Sequence, residues 1–191
     1  MKSLVTGANG FVGSSVVRCL LEAGHEVSCL VRSGSNRNNL RGLSVEIMEG
    51  DLRDTVSLKH AVKNCENLFH VAADYRLWVP DPEIMYDINV KGTKELILAA
   101  FEAGVSRIIY TSSVATLGIS SDGNPANENT PSSLENMIGH YKRSKFLAEQ
   151  VALHLTNKHQ LPLVIVNPST PIGPRDIRPT PTGRIVLDTL C

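Results

Sequence analysis

Short apolar or β-branched runs alternate with segments of helical period along most of the chain. SLVT (residues 3–6) reads as a first strand. A helix should follow over about residues 11–23, because Val12, Val16, Leu20 and Ala23 recur near helical spacing and Gly24 stops it. EVSCLV (26–31), SVEIM (44–48), NLFHVA (67–72), SRIIYTS (106–112) and PLVIVN (162–167) are further strand candidates. The longest helix is expected to open at Asp81-Pro82-Glu83, an N-cap with Pro at the first helical position, and to end near Gly104. Another should run from about Ile138 to Lys158. The strands are nearly all apolar rather than alternating, the pattern of a sheet with helices on both faces. This order predicts an α/β fold built on a parallel, doubly wound sheet with right-handed crossovers. Residues 119–137, rich in Ser, Asn, Pro and Gly, read as a long loop.

Composition narrows the function classes. At 191 residues the chain suits one well-buried domain. Its formal net charge is zero, so it carries no electrostatic footprint for nucleic acid or an anionic membrane. No apolar run reaches the roughly 20 residues that span a bilayer. MKSLVTG enters a strand directly, without the apolar core of a signal peptide, which points to the cytoplasm. Cys19, Cys29, Cys65 and Cys191 show neither a paired motif nor metal-ligand spacing and read as buried small hydrophobes; no metal site is expected. After residue 175 the chain ends in GRIVLDTLC, an apolar helical start with no cap or polar tail. We read this as a chain ending inside a larger protein, the alternative being a small terminal helix.

TGANGFVG places Gly7, Gly10 and Gly13 between the first strand and the first helix. Gly7 permits the tight turn, Gly10 lets backbone approach a pyrophosphate, and Gly13 lets the helix pack closely on the sheet. The unpaired N–H groups of Phe11, Val12 and Gly13 and the positive helix end then face the phosphates, with Asn9 in the same turn. Downstream, HYKRSKFLAE sets Tyr141 and Lys145 one helical turn apart, about 6 Å along the axis. A neighbouring ammonium is expected to lower the phenol's pKa. YTSS ends the fifth strand, offering Ser112 and Ser113 to a substrate oxygen.

The GxxGxxG spacing, INVKGT (88–93), SSVATLG, YKRSK and VNPSTPIGP resemble the extended short-chain dehydrogenase/reductases, the NAD-dependent epimerase/dehydratase type. Within them FHVAADYRLW, YTSSVATLG, YKRSKFLAE and NPSTPIGPRDIRPTPTGRI are most similar to the bacterial hopanoid-associated sugar epimerases, often labelled dihydroflavonol 4-reductase-like. The resemblance implies a Rossmann-type cofactor domain over residues 1–175, the start of a substrate-binding region over 176–191, and catalytic Ser113, Tyr141 and Lys145, with Ser113 preferred over Ser112. Arg32, where an NAD-preferring site offers an acid, implies NADP(H), with Arg37 as a second contact and NAD(H) as the alternative. Asp51 and Leu52 would meet the adenine, and Ala72, Ala73, Pro168 and Thr170 would line the cofactor, with Tyr141 and Lys145 also touching it. His70 is given a structural role, and Asn89 that of a hydrogen-bonder between helix and strand. His140, Ser144 and Pro168-Ser169 depart from the commoner residues, the first and last bearing on substrate-side geometry. The implied activity is hydride transfer on a sugar-like or polycyclic secondary alcohol, alone or within an epimerisation. The alternatives are a dihydroflavonol-type ketone reductase and a non-catalytic NADP-binding scaffold. A homodimer through the two long helices is implied as well.

Overall fold

The computed structural model describes residues 1–120 and 123–190. Six strands form one sheet: β1 (Lys2–Thr6), β2 (Glu26–Val31), β3 (Glu46–Glu49), β4 (Asn67–His70), β5 (Arg107–Thr111) and β6 (Leu163–Val166). Their order is β3-β2-β1-β4-β5-β6, and every neighbouring pair is parallel. The order reverses between β1 and β4, the kind of switch point beyond whose carboxyl edge open α/β sheets bind their ligands.

Side chains alternate across this sheet, and each face has its own core. On one face Leu4, Leu68, Ile108 and Tyr110 pack under α2 (Thr55–Val62), α4 (Thr93–Glu102) and α5 (His140–His159). On the other, Val5, Val27, Cys29 and Val31 pack under Val17 and Leu20 of α1 (Phe11–Glu22). Helices therefore lie on both faces, as the apolar strands predict. The cover thins at the β6 edge: Leu163 and Ile165 turn into the first core, while Val164 and Val166 stay 45% and 40% exposed. α6 (Pro181–Leu190) contributes no buried residue.

The helix expected from Asp81 to Gly104 runs from Pro82 to Glu102 but changes its winding part-way, so its regular α stretches are shorter than the 20-residue α5. Asp81 does cap α3 (Pro82–Tyr86), accepting from the Glu83 N–H at 3.0 Å. The chain then widens into a π-type turn over Asp87–Gly92 before α4. Two contacts explain the widening. Gly92 lies so close to Leu52 that a Cβ there would meet the Leu52 Cβ at 2.8 Å. Asn89 points inward, accepting from the Asp74 N–H at 2.7 Å and donating to the Asp74 carbonyl at 2.8 Å and the Ser144 hydroxyl at 2.9 Å. It thus bridges helix to loop and helix to helix rather than helix to strand.

Among the cysteines, Cys29 and Cys65 are buried as expected, whereas Cys19 is exposed on α1; Cys191 lies outside the described residues. No helix among the described residues is long and apolar enough to cross a membrane, and no group of His, Cys, Asp and Glu suited to a metal occurs among them.

Candidate active site and cofactor cradle

β1 ends in a turn that only glycine can make. Gly7 has φ +67°, and a Cβ on it would meet the Ala72 backbone N at 2.7 Å. A Cβ on Gly13 would meet the Gly7 carbonyl oxygen at 2.1 Å. Gly10 donates its N–H to that same oxygen at 2.9 Å and precedes α1 without any side-chain cap. The first N–H groups of α1, from Phe11 onward, therefore have no partner within the helix or from a capping side chain. Asn9 donates to the Asn36 carbonyl at 2.9 Å, which ties the turn to the loop after β2. The loop after β6 reaches the same place, with Gly173 beside the Phe11 ring.

A cleft of about 650 Å³ opens at the ends of β2 and β3, lined by Arg32, Ser33, Ser35, Gly50, Asp51 and Arg53, among others. Arg32 is exposed and forms no ion pair among the described residues. Arg37 is already engaged, paired with Glu49. Asp51 accepts from the Nε and Nη2 of Arg53, each at 2.9 Å, and this pairing holds its carboxyl down at about 2. Leu52 is 8% exposed and belongs to the sheet core. Ala72 donates its N–H to the Thr6 hydroxyl at 3.2 Å, and Ala73 is half-buried beside it. Pro168 is half-buried and accepts from the Val114 N–H at 3.0 Å; Thr170 is exposed on the loop beyond.

The three residues expected to carry acid–base chemistry, Ser113, Tyr141 and Lys145, lie where β5 ends against α5. Ser113 starts a short 3₁₀ turn over Val114–Thr116 and accepts from the Ala115 N–H at 3.1 Å. Its hydroxyl also lies near enough to the Tyr141 phenol to oppose, in part, the upward push that burial exerts on that group. The sequence predicts a lowered Tyr141 pKa, and the structure corrects this: burial raises it, because Lys145 points elsewhere. The Lys145 ammonium donates to the Tyr110 hydroxyl at 3.1 Å and the Thr111 carbonyl at 2.9 Å, and it lies 4.7 Å from the Tyr110 ring centroid. Desolvation pulls Lys145 down to about 7, with the nearby Glu149 charge pulling the other way.

Tyr110, which the sequence pattern does not single out, is the direct partner of this lysine. It is one residue in a strand otherwise read for its apolar pattern, and only the fold shows its hydroxyl at Lys145. His70 stacks on it at 5.4 Å, fully buried between the Thr6 hydroxyl at 2.8 Å and the Thr93 hydroxyl at 2.9 Å. Burial lowers His70 to about 3, so it is neutral and structural, as expected. Ser112 is occupied too, donating to Glu149, so the two serines differ in what they face. The two substitutions around the Tyr–Lys pair have visible partners. Ser144 donates to the Tyr141 carbonyl at 2.8 Å while accepting from Asn89. The Nδ1 of His140 hydrogen-bonds the Tyr86 hydroxyl at 3.1 Å.

With this geometry in place, comparison with known proteins becomes informative. Residues 3–190 match the family model for the NAD dependent epimerase/dehydratase family. A putative dihydroflavonol 4-reductase of Synechocystis sp. is 50% identical over 183 residues, covering 96% of this chain and 53% of that protein. Sterol demethylase protein B of Methylococcus capsulatus is 39% identical over 188 residues, covering 98% and 57%. The chain thus spans about half the length of the curated relatives it matches. The crystal structure of gox2253 superposes with a TM-score of 0.92 at 59% identity, over 97% of this chain and 56% of that one. UDP-glucose 4-epimerase of Thermus thermophilus in complex with NAD gives 0.85 at 25% identity, over 98% and 61%. Sheet order, glycine turn and sequence match agree, and the chain belongs to the NAD-dependent epimerase/dehydratase family.

Proposed function

We propose that this chain holds NADP(H) along the carboxyl edge of its sheet and supplies the acid–base residues for interconverting a secondary alcohol and a ketone. The observation that carries the reading is the convergence of Ser113, Tyr141 and Lys145 at the end of β5, on the carboxyl edge that also holds the glycine turn. The cradle fits a dinucleotide: glycines stand where a Cβ would collide with backbone, and the α1 N-terminus is uncapped. Arg32, free of an ion pair among the described residues, supports the 2′-phosphate form over NAD(H), while Arg37 would have to leave Glu49 to assist. Asp51, held ionised, is a fixed acceptor for an adenine amino group.

When bound, the nicotinamide supplies or accepts the hydride. Ser113 hydrogen-bonds the substrate oxygen and steadies its charge. Tyr141 gives its proton to that oxygen in reduction and takes it back in oxidation. Lys145 lies one helical turn beyond Tyr141 on α5, and release from Tyr110 and Thr111 would let it meet the cofactor ribose. The substrate is a sugar-like or polycyclic alcohol, with epimerisation as one use of the same chemistry. A dihydroflavonol-type ketone reductase is the second reading, favoured by the Synechocystis relative. The three described cysteines are free, in keeping with a cytoplasmic setting.

The test is Tyr141→Phe in a chain carried to the full length of its relatives. Turnover should fall about 10³-fold, while NADPH binding, followed by nicotinamide fluorescence, stays unchanged. Retained turnover would remove Tyr141 from the mechanism. A reductase consumes NADPH stoichiometrically and an epimerase regenerates it, so absorbance at substrate excess separates the two readings.

A further inference from the structure

Glu149 lies two helical turns beyond Tyr141 and one beyond Lys145, on the same face of α5. One of its oxygens, Oε2, receives three donors from two other segments. The Ser112 hydroxyl donates to it, the Thr116 hydroxyl donates at 2.8 Å, and the Asn167 amide donates at 3.0 Å. Ser112 and Thr116 are 6% and 2% exposed, so water cannot readily replace these bonds. The two hydrogens of the same amide are shared with the Ser113 carbonyl and the Thr116 hydroxyl, each 3.1 Å from its nitrogen. Ser113 is therefore bracketed: the residue before it and the residue three after it both bind Glu149, and its own carbonyl is held by a third Glu149 partner.

We propose that Glu149 is a positioning residue that fixes Ser113 relative to Tyr141 by accepting hydrogen bonds from Ser112, Thr116 and Asn167. The inference rests on the reading of Ser113 and Tyr141 as the groups that handle the substrate oxygen. Tyr141 and Glu149 share one rigid helix, whereas Ser113 sits on a loop between β5 and a single 3₁₀ turn. A loop of that kind drifts unless something ties it to the helix, and misplacement by about 1 Å is enough to cost about 100-fold in rate. Three charge-assisted bonds to one carboxylate oxygen are such a tie. Glu149 itself bonds neither the Tyr141 hydroxyl nor the Ser113 hydroxyl, so its effect passes through the loop.

The experiment is a double-mutant cycle in the full-length enzyme, with Tyr141→Phe in parallel. Glu149→Ala should lower kcat about 10- to 100-fold with KM for the ketone and NADPH affinity little changed. Glu149→Gln, which keeps an acceptor oxygen, should recover most of the loss. Ser113→Ala alone should cost about 100-fold, and adding Glu149→Ala should cost no more than about threefold further, because a misplaced serine and a missing one are equivalent. Multiplicative losses in the double variant would overturn the proposal, as would a Glu149→Gln enzyme as poor as Glu149→Ala, or wild-type kcat in Glu149→Ala. If Glu149→Ala does not fold by circular dichroism, Thr116→Val, which removes one donor at nearly constant volume, takes its place in the cycle with the same criteria. A Tyr141→Phe enzyme that still turns over sinks the underlying reading of the site. A dead Tyr141→Phe beside a fully active Glu149→Ala sinks only the role of Glu149.

Discussion

The carboxyl edge of the sheet carries two sites built in opposite ways. At the end of β1 the working groups are main-chain: a turn of glycines and a run of uncapped N–H groups, with little for a side chain to contribute. At the end of β5 nearly everything is side-chain: Tyr141, Lys145, Tyr110, Glu149, Ser112, Thr116 and Asn167, cross-linked over two strands' loops and one helix. The first site depends on volume, because a methyl group in the wrong place collides with backbone that cannot yield. The second depends on electrostatics in a dry setting, where a lysine falls to about 7 and a tyrosine is pushed up by burial.

That contrast can be broken by three substitutions, of which Gly13→Ala should have the largest effect. The added Cβ would stand 2.1 Å from the Gly7 carbonyl oxygen, so α1 or the turn must shift. Stability should fall by about 1–3 kcal/mol, read by urea denaturation, and NADPH affinity by more than about tenfold. An unchanged affinity would show that the turn does not cradle the phosphates. Arg32→Glu comes next: it alters charge without bulk at the far end of the cradle. Preference should swing towards NADH by about tenfold or more, since a carboxylate repels a 2′-phosphate; a constant NADPH/NADH ratio of kcat/KM would refute that assignment.

At neutral pH the smallest effect belongs to His70, behind Tyr110 and Lys145, because there the ring is largely uncharged in the folded and the unfolded chain alike. Its folded pKa lies at about 3 against an ordinary 6.5, so between those values the unfolded chain binds the extra proton and stability is lost as pH falls. His70→Gln should flatten the stability profile between about pH 6.5 and 3 relative to the parent. Parallel profiles for the two proteins would mean that the ring does not sense this burial.

The same contrast explains what could be read from the sequence. β2 runs over the predicted Glu26–Val31, and the other strands and α1 differ from expectation by a residue or two at their ends. Apolar runs and glycine spacing are local signals, and the fold and the cradle are made of them. The break at Asp87–Gly92 is not local: it answers to Leu52 and Asp74, brought in from other segments. Likewise Tyr141 and Lys145 announce themselves by spacing, but the direction of the lysine does not. It is decided by Tyr110 and Thr111, thirty-odd positions earlier, and with it the sign of the Tyr141 shift. Arg37 is placed by its sequence position to meet a phosphate, but β3 brings Glu49 beside it.

The π-type turn at Asp87–Gly92 also works as a phase adjuster. An α-helix advances by about 100° per residue, so one residue more or less between α3 and α4 rotates everything that follows. As built, the wide turn lets Asn89 face the Asp74 loop and α5 while Leu96 and Ile97, further along, still face the sheet with no exposure at all. A regular helix of the same length would have to give up one of these two alignments. The irregularity is thus what allows a single helical run to serve both the site and the core.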